Sequence, residues 1–153
     1  MVKGFHHTAI VVPDIDKARE FYEGVFGFTL VKELSWNRPS PVHDQIIGLK
    51  DTTARAYLLK CSNMYLELFE YDLPAADYEG TQPRADRPGI RHLAFEVDDA
   101  CSEYERLVKA GGMSINPPYI FPEGGSTVYC RDPFGNIIEL TTAGRGFPSI
   151  DDL

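Results

Sequence analysis

A chain of 153 residues with 43% hydrophobic and 25% charged residues can bury its own core, as one compact domain or as two small modules. The net charge of -8 comes with no stretch that concentrates Lys and Arg, which argues against nucleic-acid binding because phosphate neutralisation needs clustered cations. Cys61, Cys101 and Cys130 are an odd set without a CxxC pair, so they read as small core residues of a reducing, cytoplasmic compartment rather than as a disulfide framework. The run before Pro13 is too short for a signal or a membrane span, and no membrane partner is expected.

Residues 5–12 (FHHTAIVV) are β-branched and aromatic and predict a strand that Pro13-Asp14 ends. Asp14 then caps a helix on which Ala18, Phe21, Tyr22 and Val25 form one apolar face, with Gly27 at its stop. A strand follows over 28–36, then a polar stretch to Asp51, and then a hairpin of 54–60 and 63–71 across Cys61-Ser62. Residues 72–89, rich in Pro, Asp and Arg, read as an inter-module loop. After it the order begins again. A strand over 90–97 leads through Asp98 or Asp99 into a helix carrying Ala100, Tyr104, Leu107 and Val108, ended by Gly111-Gly112. Short strands are expected near 113–120, over 126–131 and over 136–142, with Asp132-Pro133-Phe134-Gly135 as the last turn. The modules thus span 1–71 and 90–143, and 144–153 is expected to be a loose tail.

The two halves match by inspection. HTAIVVPD at His7 sits against HLAFEVDD at His92, an offset of 85 (92 − 7), and Glu67 in YLELFE against Glu139 in NIIEL, an offset of 72 (139 − 67). Strand alternation turns Thr8, Ile10 and Val12 toward the helix and leaves His7 on the opposite face. The same alternation leaves Glu67 between Leu66 and Leu68, Glu139 between Ile138 and Leu140, and His92 on that face too. Buried carboxylates need compensation, and a divalent cation held by two imidazoles and two carboxylates supplies it. Taken singly, each His would read as a hydrogen-bonded core or surface residue and each Glu as solvent-facing. Four in repeat-related places point to one metal site: His7, Glu67, His92 and Glu139. By alternation His6 faces away from His7 and is not expected to be a ligand, and His43 reads as a surface or lid residue.

HHTAIVVPDIDKAREFYEGVFGF, NMYLELFE, GIRHLAFEVDD and RDPFGNIIEL together resemble the vicinal oxygen chelate superfamily, which includes glyoxalase I, methylmalonyl-CoA epimerase, extradiol dioxygenases and bleomycin- and fosfomycin-resistance proteins. The resemblance implies an α+β fold of two paired βαβββ modules forming a cupped, incompletely closed eight-stranded sheet with helices outside. It also implies one divalent metal (Zn, Ni, Co, Mn or Fe), a small-molecule substrate with adjacent oxygens, and a homodimer. The four ligand positions of the family fall on His7, Glu67, His92 and Glu139. The His-Glu-His-Glu set is similar to that of glyoxalase I and close to that of the epimerase. The implied chemistry is proton abstraction beside a carbonyl in an isomerase, epimerase or lyase. Glu139 is the first candidate base, Glu67 the second and Asp51 the third, although Asp51 also reads simply as a turn residue. A single-unit ring-cleaving dioxygenase and a small-molecule-binding resistance protein stand as alternatives. Arg38, Arg55, Arg91 and Arg131 are candidate contacts for an anionic substrate tail. The segment from Ser35 to Asp51 and the stretch Pro122-Glu123-Gly124-Gly125 are candidate lids.

Overall fold

The computed structural model describes residues 1–75, 83–143 and 148–152, and its chain divides into two compact units, Met1–Gly80 and Thr81–Leu153. Among the described residues the architecture is α+β, with two sheets and no closed barrel.

The first unit runs β1 (His7–Val11), α1 (Ile15–Phe26), β2 (Thr29–Trp36), α2 (Pro41–Ile47), β3 (Thr53–Cys61) and β4 (Met64–Leu73). Its sheet has the order β1-β4-β3-β2, with β1 parallel to β4 and the other pairs antiparallel. The Asp14 carboxylate caps α1 by accepting from the Lys17 backbone N–H, and Gly27 closes the helix at φ 69°, in the left-handed region that favours glycine. Ile15, Ala18, Tyr22 and Val25 on α1 are buried together with Val12, Leu59, Leu66 and Leu68. Each large aliphatic side chain so placed contributes about 1.5–3 kcal/mol relative to exposure, which fixes the face the helix covers. Arg55, Asp16 and Glu70 lock the start of the helix to the sheet: Arg55 donates to both carboxylates, and the Ile15 backbone N–H donates to Glu70 at 2.7 Å.

The second unit begins in the same way but has a strand where the first has its second helix: β5 (His92–Glu96), α3 (Ala100–Lys109), β6 (Met113–Ser114), β7 (Tyr119–Ile120), β8 (Ser126–Arg131) and β9 (Ile137–Thr141). Its sheet is β5-β9-β8-β6, with β7 also paired to β8 and β5 parallel to β9. Asp99, the second of the two aspartates expected to cap, accepts from the Cys101 backbone N–H. Gly112 is required by close approach: a Cβ there would meet the Leu107 side chain and lie 2.8 Å from the Arg131 carbonyl oxygen.

Four local differences from the sequence reading have plain causes. The strand expected near 113–120 is split into β6 and β7, because Pro117-Pro118 sits between them and removes two ladder donors. β4 reaches Leu73, two residues into the expected loop. The stretch from Ser35 to Asp51 is not a plain loop, since it holds α2, with Pro41 in its first turn and Gly48 at φ 73° after its last. In the tail, a short 3-10 helix at Ile150–Asp152 is tied to β5, where Glu96 accepts from the Ser149 hydroxyl at 2.7 Å and the Ile150 N–H at 2.9 Å. Residues 144–147 and 153 of the expected tail, and 76–82 of the expected loop, lie outside the described residues.

Candidate functional site

Each unit presents one face of its sheet away from its helix, and the histidines and glutamates singled out above stand on those faces. In β1 the exposed residues are His7, Ala9 and Val11, while Thr8 and Ile10 are half-buried toward α1. In β4, Leu66 and Leu68 are fully buried and Tyr65, Glu67 and Phe69 are not. In β9, Ile138 and Leu140 are fully buried, with Glu139 between them on the open side.

Register then brings the side chains together. The parallel pairing of β1 with β4 sets Ala9 against Glu67, so His7 lies one same-face step away, and the His7 Nε2 is 3.2 Å from the Glu67 Oε2. In the second unit β5 and β9 set Ala94 against Glu139, and the His92 Nε2 is 3.1 Å from the Glu139 Oε2. The two pairs therefore occupy equivalent registers, and the small alanine beside each carboxylate leaves the space over it open. The histidine side chains are 40% and 35% exposed and the glutamates 19% and 22%, so the pairs are reachable yet partly withdrawn from water. An imidazole nitrogen and a carboxylate oxygen, each about 2.1 Å from a shared cation at near-right-angle positions, would lie about 3 Å apart. The separations fit that donor geometry as well as they fit a hydrogen bond from Nε2–H to the carboxylate. Among the described residues no group of three or more His, Cys, Asp or Glu is gathered as a metal-holding cluster. What each unit offers is a pair.

The contacts behind the pairs differ. Tyr129 of β8 is the antiparallel partner of Glu139, hydrogen-bonds to it, and places its hydroxyl 3.5 Å from the His92 Nδ1. Burial first, and then the Glu139 charge, push the Tyr129 phenol above its ordinary pKa. The Thr127 hydroxyl lies 3.3 Å from the Glu139 Oε1 and 3.2 Å from the Leu140 carbonyl oxygen. In the first unit the residue across from Glu67 is Leu58, which offers no such bond. There the outer contact is made by His6. Its Nδ1 is 2.8 Å from the His7 Nδ1, and its ring stacks on Tyr65 at 5.2 Å between centroids. This corrects the reading that His6 faces away from His7: β1 begins at His7, so strand alternation does not govern the residue before it. Tyr129 was overlooked, although the buried Val128 and Cys130 around it put it on the same face as Glu139 by the same alternation.

Farther along the open face of the first unit, Trp36, Ala54 and Ala56 form a buried cluster against Ile47, Phe69 and Tyr71. The His43 ring lies flat on Trp36, 4.3 Å between centroids and 2° between planes. The Trp36 indole N–H donates to the Thr52 hydroxyl, which donates to Asp44 at 2.6 Å, and Asp44 also accepts from the N–H groups of Asp51 and Thr52. The expected lid in this stretch is thus a helix held down at both ends, and it walls the aromatic end of the face that Glu67 occupies. Burial, with the Glu67 charge added, raises the Tyr71 phenol pKa.

Asp51 stands in an exposed turn with φ 54°, its N–H engaged by Asp44. Leu58 faces Glu67 and Thr53 opens β3, five residues earlier, which at about 3.3 Å per residue puts Asp51 well over about 15 Å along the strand from Glu67. That distance separates it from the His7–Glu67 pair and favours its turn role. Of the candidate anion contacts, Arg55 is spent on Asp16 and Glu70 on the helix side, and Arg131 donates to the carbonyl oxygens of Gly135 and Pro83. Arg38 donates through its backbone N–H to the Thr53 hydroxyl. The Arg91 Nε is buried without a hydrogen-bond partner. The second candidate lid is a tight turn, closed by Phe121 and Gly124 N–H groups donating to the Gly125 and Phe121 carbonyls at 3.1 and 2.9 Å.

Comparison with known proteins agrees with this fold. The chain is 33% identical over 151 residues to a 2-epi-5-epi-valiolone epimerase from an Actinomyces species, covering 94% of this chain and 81% of that protein. It is 31% identical over 136 residues to a protein described as a probable lactoylglutathione lyase from Vibrio cholerae, covering 88% of this chain and 86% of that one. Among solved structures, a glyoxalase family protein from Bacillus cereus superposes with a TM-score of 0.82 at 18% identity, covering 93% and 95% of the two chains. A fosfomycin resistance protein from Mesorhizobium loti gives 0.60 at 21%, covering 95% of each chain, and both likenesses speak to the fold. The sequence profile of one family matches residues 4–140, nearly the whole chain, and the protein belongs to that family, the Glyoxalase/Bleomycin resistance protein/Dioxygenase superfamily.

Proposed function

We propose that the chain is a metal-dependent isomerase, epimerase or lyase that removes a proton from a carbon next to a carbonyl. In this reading His7, Glu67, His92 and Glu139 supply the ligands of one divalent ion, the substrate is a small molecule with two neighbouring oxygens, and the working form is a homodimer. The observation that carries it is the repetition of a His–Glu pair, Nε2 to carboxylate at 3.2 and 3.1 Å, in equivalent registers of both units. The names of two relatives, an epimerase and a lactoylglutathione lyase, support the reaction class. The fourth donor, Glu67, tells against the ring-cleaving reading, which needs two histidines, one carboxylate and open positions for oxygen.

When bound, a divalent ion supplies Lewis acidity to a carbonyl oxygen, which lowers the cost of the charge left by proton loss. The chain's residues do the rest. Glu139 takes the proton at a carboxylate oxygen, and Tyr129 and Thr127 hold that carboxylate against β8 while it does so. Epimerisation needs a second group to return a proton, and Glu67 meets that need. The Trp36–Phe69–Tyr71 wall excludes water from one end of the face beside Glu67.

Exchange in deuterated water tests this reading. Incubation with a panel of α-chiral thioesters, 2-keto compounds and cyclic ketones should give metal-dependent deuterium uptake at the carbon next to the carbonyl. Glu139→Gln should slow it by about 10²-fold or more. Uptake that is absent across the panel, with oxygen consumed from catechols instead, would transfer the case to the dioxygenase alternative.

A further inference from the structure

We propose that His6 is a positioning residue for His7, holding the imidazole in the orientation that presents its Nε2 to a cation; the inference rests on the reading of His7 as a metal ligand.

The two Nδ1 atoms are 2.8 Å apart, a hydrogen-bond distance, with the rings at 87° to one another. The His6 ring is not adrift on the surface, because its other face lies on Tyr65 at 12° from parallel, and Tyr65 is the register partner of His7 itself. One strand pairing therefore sets both the ligand and the platform of the residue behind it.

Tautomer chemistry then preserves the contact with or without a cation on Nε2. While His7 Nε2 carries its proton and donates to Glu67, its Nδ1 is an acceptor, and His6 Nδ1–H donates to it. A cation on Nε2 requires that nitrogen unprotonated, so neutral His7 then carries its proton on Nδ1 and donates to His6. The contact is satisfied in either state simply by moving which nitrogen holds the hydrogen. A methionine or leucine at position 6 would leave the Nδ1–H with water alone.

The comparison between repeats strengthens the assignment. His92 has the Tyr129 hydroxyl near its Nδ1, reaching from the strand position across from Glu139. At the equivalent position of the first unit stands Leu58, which cannot donate or accept. His6 supplies from the chain before β1 what the neighbouring strand does not supply there.

The test is cation binding by the full chain, with Co(II) and Zn(II) as probes, read by competition with a chromophoric chelator and by the Co(II) visible spectrum. His6→Phe keeps a ring on Tyr65 and removes the Nδ1 contact, whereas His6→Asn offers a short polar replacement. His6→Phe should weaken binding about 10- to 100-fold and alter the Co(II) bands, with His6→Asn recovering part of both. His7→Ala should bind far more weakly than either. Because residue 6 is exposed, unchanged circular dichroism should accompany the loss. Wild-type affinity and spectrum in His6→Phe would overturn the positioning role while leaving His7 a ligand. Loss in His6→Phe as complete as in His7→Ala would overturn it too, by making His6 a ligand itself. A wild-type chain that takes up neither cation would overturn the ligand reading and this inference together.

Discussion

Replacing Asp132 by alanine should destabilise the second unit and loosen Glu139, although Asp132 is not on the face that Glu139 occupies. Asp132 is fully buried at the turn between β8 and β9, and its carboxylate accepts from the Phe134 N–H at 2.9 Å, the Asn136 N–H at 2.9 Å and the Asn136 side-chain amide at 2.7 Å. The turn is closed further by Asp132 N–H to the Asn136 carbonyl and Gly135 N–H to the Asp132 carbonyl. Each bond to a charged acceptor is worth about 1.5–3 kcal/mol net, but the donors are only partly buried and water can reach some of them in the variant. A total near 3 kcal/mol follows for Asp132→Ala, and about half that for Asp132→Asn, which keeps one acceptor oxygen. The turn sets the register that places Tyr129 opposite Glu139, so the alanine variant should also weaken cation binding. Urea unfolding with paired measurements of Zn(II) affinity reads both effects. A loss below about 1 kcal/mol for the alanine variant would refute the claim that this carboxylate organises the hairpin.

Acid should act on the other unit through Asp44. The Thr52 hydroxyl, and then the Thr52 and Asp51 N–H groups, hold its carboxyl below the ordinary range. A folded-state value below the unfolded one gives stabilisation that is complete above the ordinary value of about 3.9 and fades as pH falls through the folded value. The difference in Tm between wild type and Asp44→Asn should therefore be widest near neutrality and shrink below about pH 4, and a difference that stays constant into acid would contradict this. Burial pushes the Cys130 thiol up to about 12, so at pH 8 only about one in 10⁴ of these groups would be thiolate. Iodoacetamide should leave Cys130 unmodified in the native protein and label it after unfolding, as peptide mass mapping can show; equal rates in both states would sink the assignment of Cys130 to the core.

Much of the fold is legible in the sequence, for specific reasons. Glu67 and Glu139 each sit between two large aliphatic residues, so alternation alone assigns their faces, and the histidines follow from the repeat. Asp14 and Gly27 bracket α1 because a cap and a left-handed stop need those residue types. What stayed hidden lacked such a signature. α2 fully buries none of its residues, and its apolar Val42 and Ile46 are exposed while the partly buried positions include polar His43 and Asp44, so no apolar face marks the helix in the sequence. His6 lies one residue outside β1, where a rule about strands has no authority. The engagement of Arg55 depends on Asp16 and Glu70, which are distant in sequence and meet only when α1 settles on β3 and β4. Asp51 stands out by its type, whereas its place in a turn before β3, beyond the far end of that strand from Leu58, sets it apart from the His7–Glu67 pair.

The matched registers of the two pairs have a consequence for how such a protein can change. His7 with Glu67, and His92 with Glu139, are each fixed by a parallel strand pairing at one edge of a sheet. The connections between the other strands are free of that duty. In the first unit the path from Trp36 to Thr53 carries a whole helix, whereas the path from Ile120 to Ser126 in the second is one tight turn. Insertion and loss of chain can accumulate in these connections, reshaping the surroundings of the face, without shifting either His–Glu pair by a residue. In the proposed reading, a lineage built this way can trade one small molecule for another while both His–Glu pairs are inherited intact.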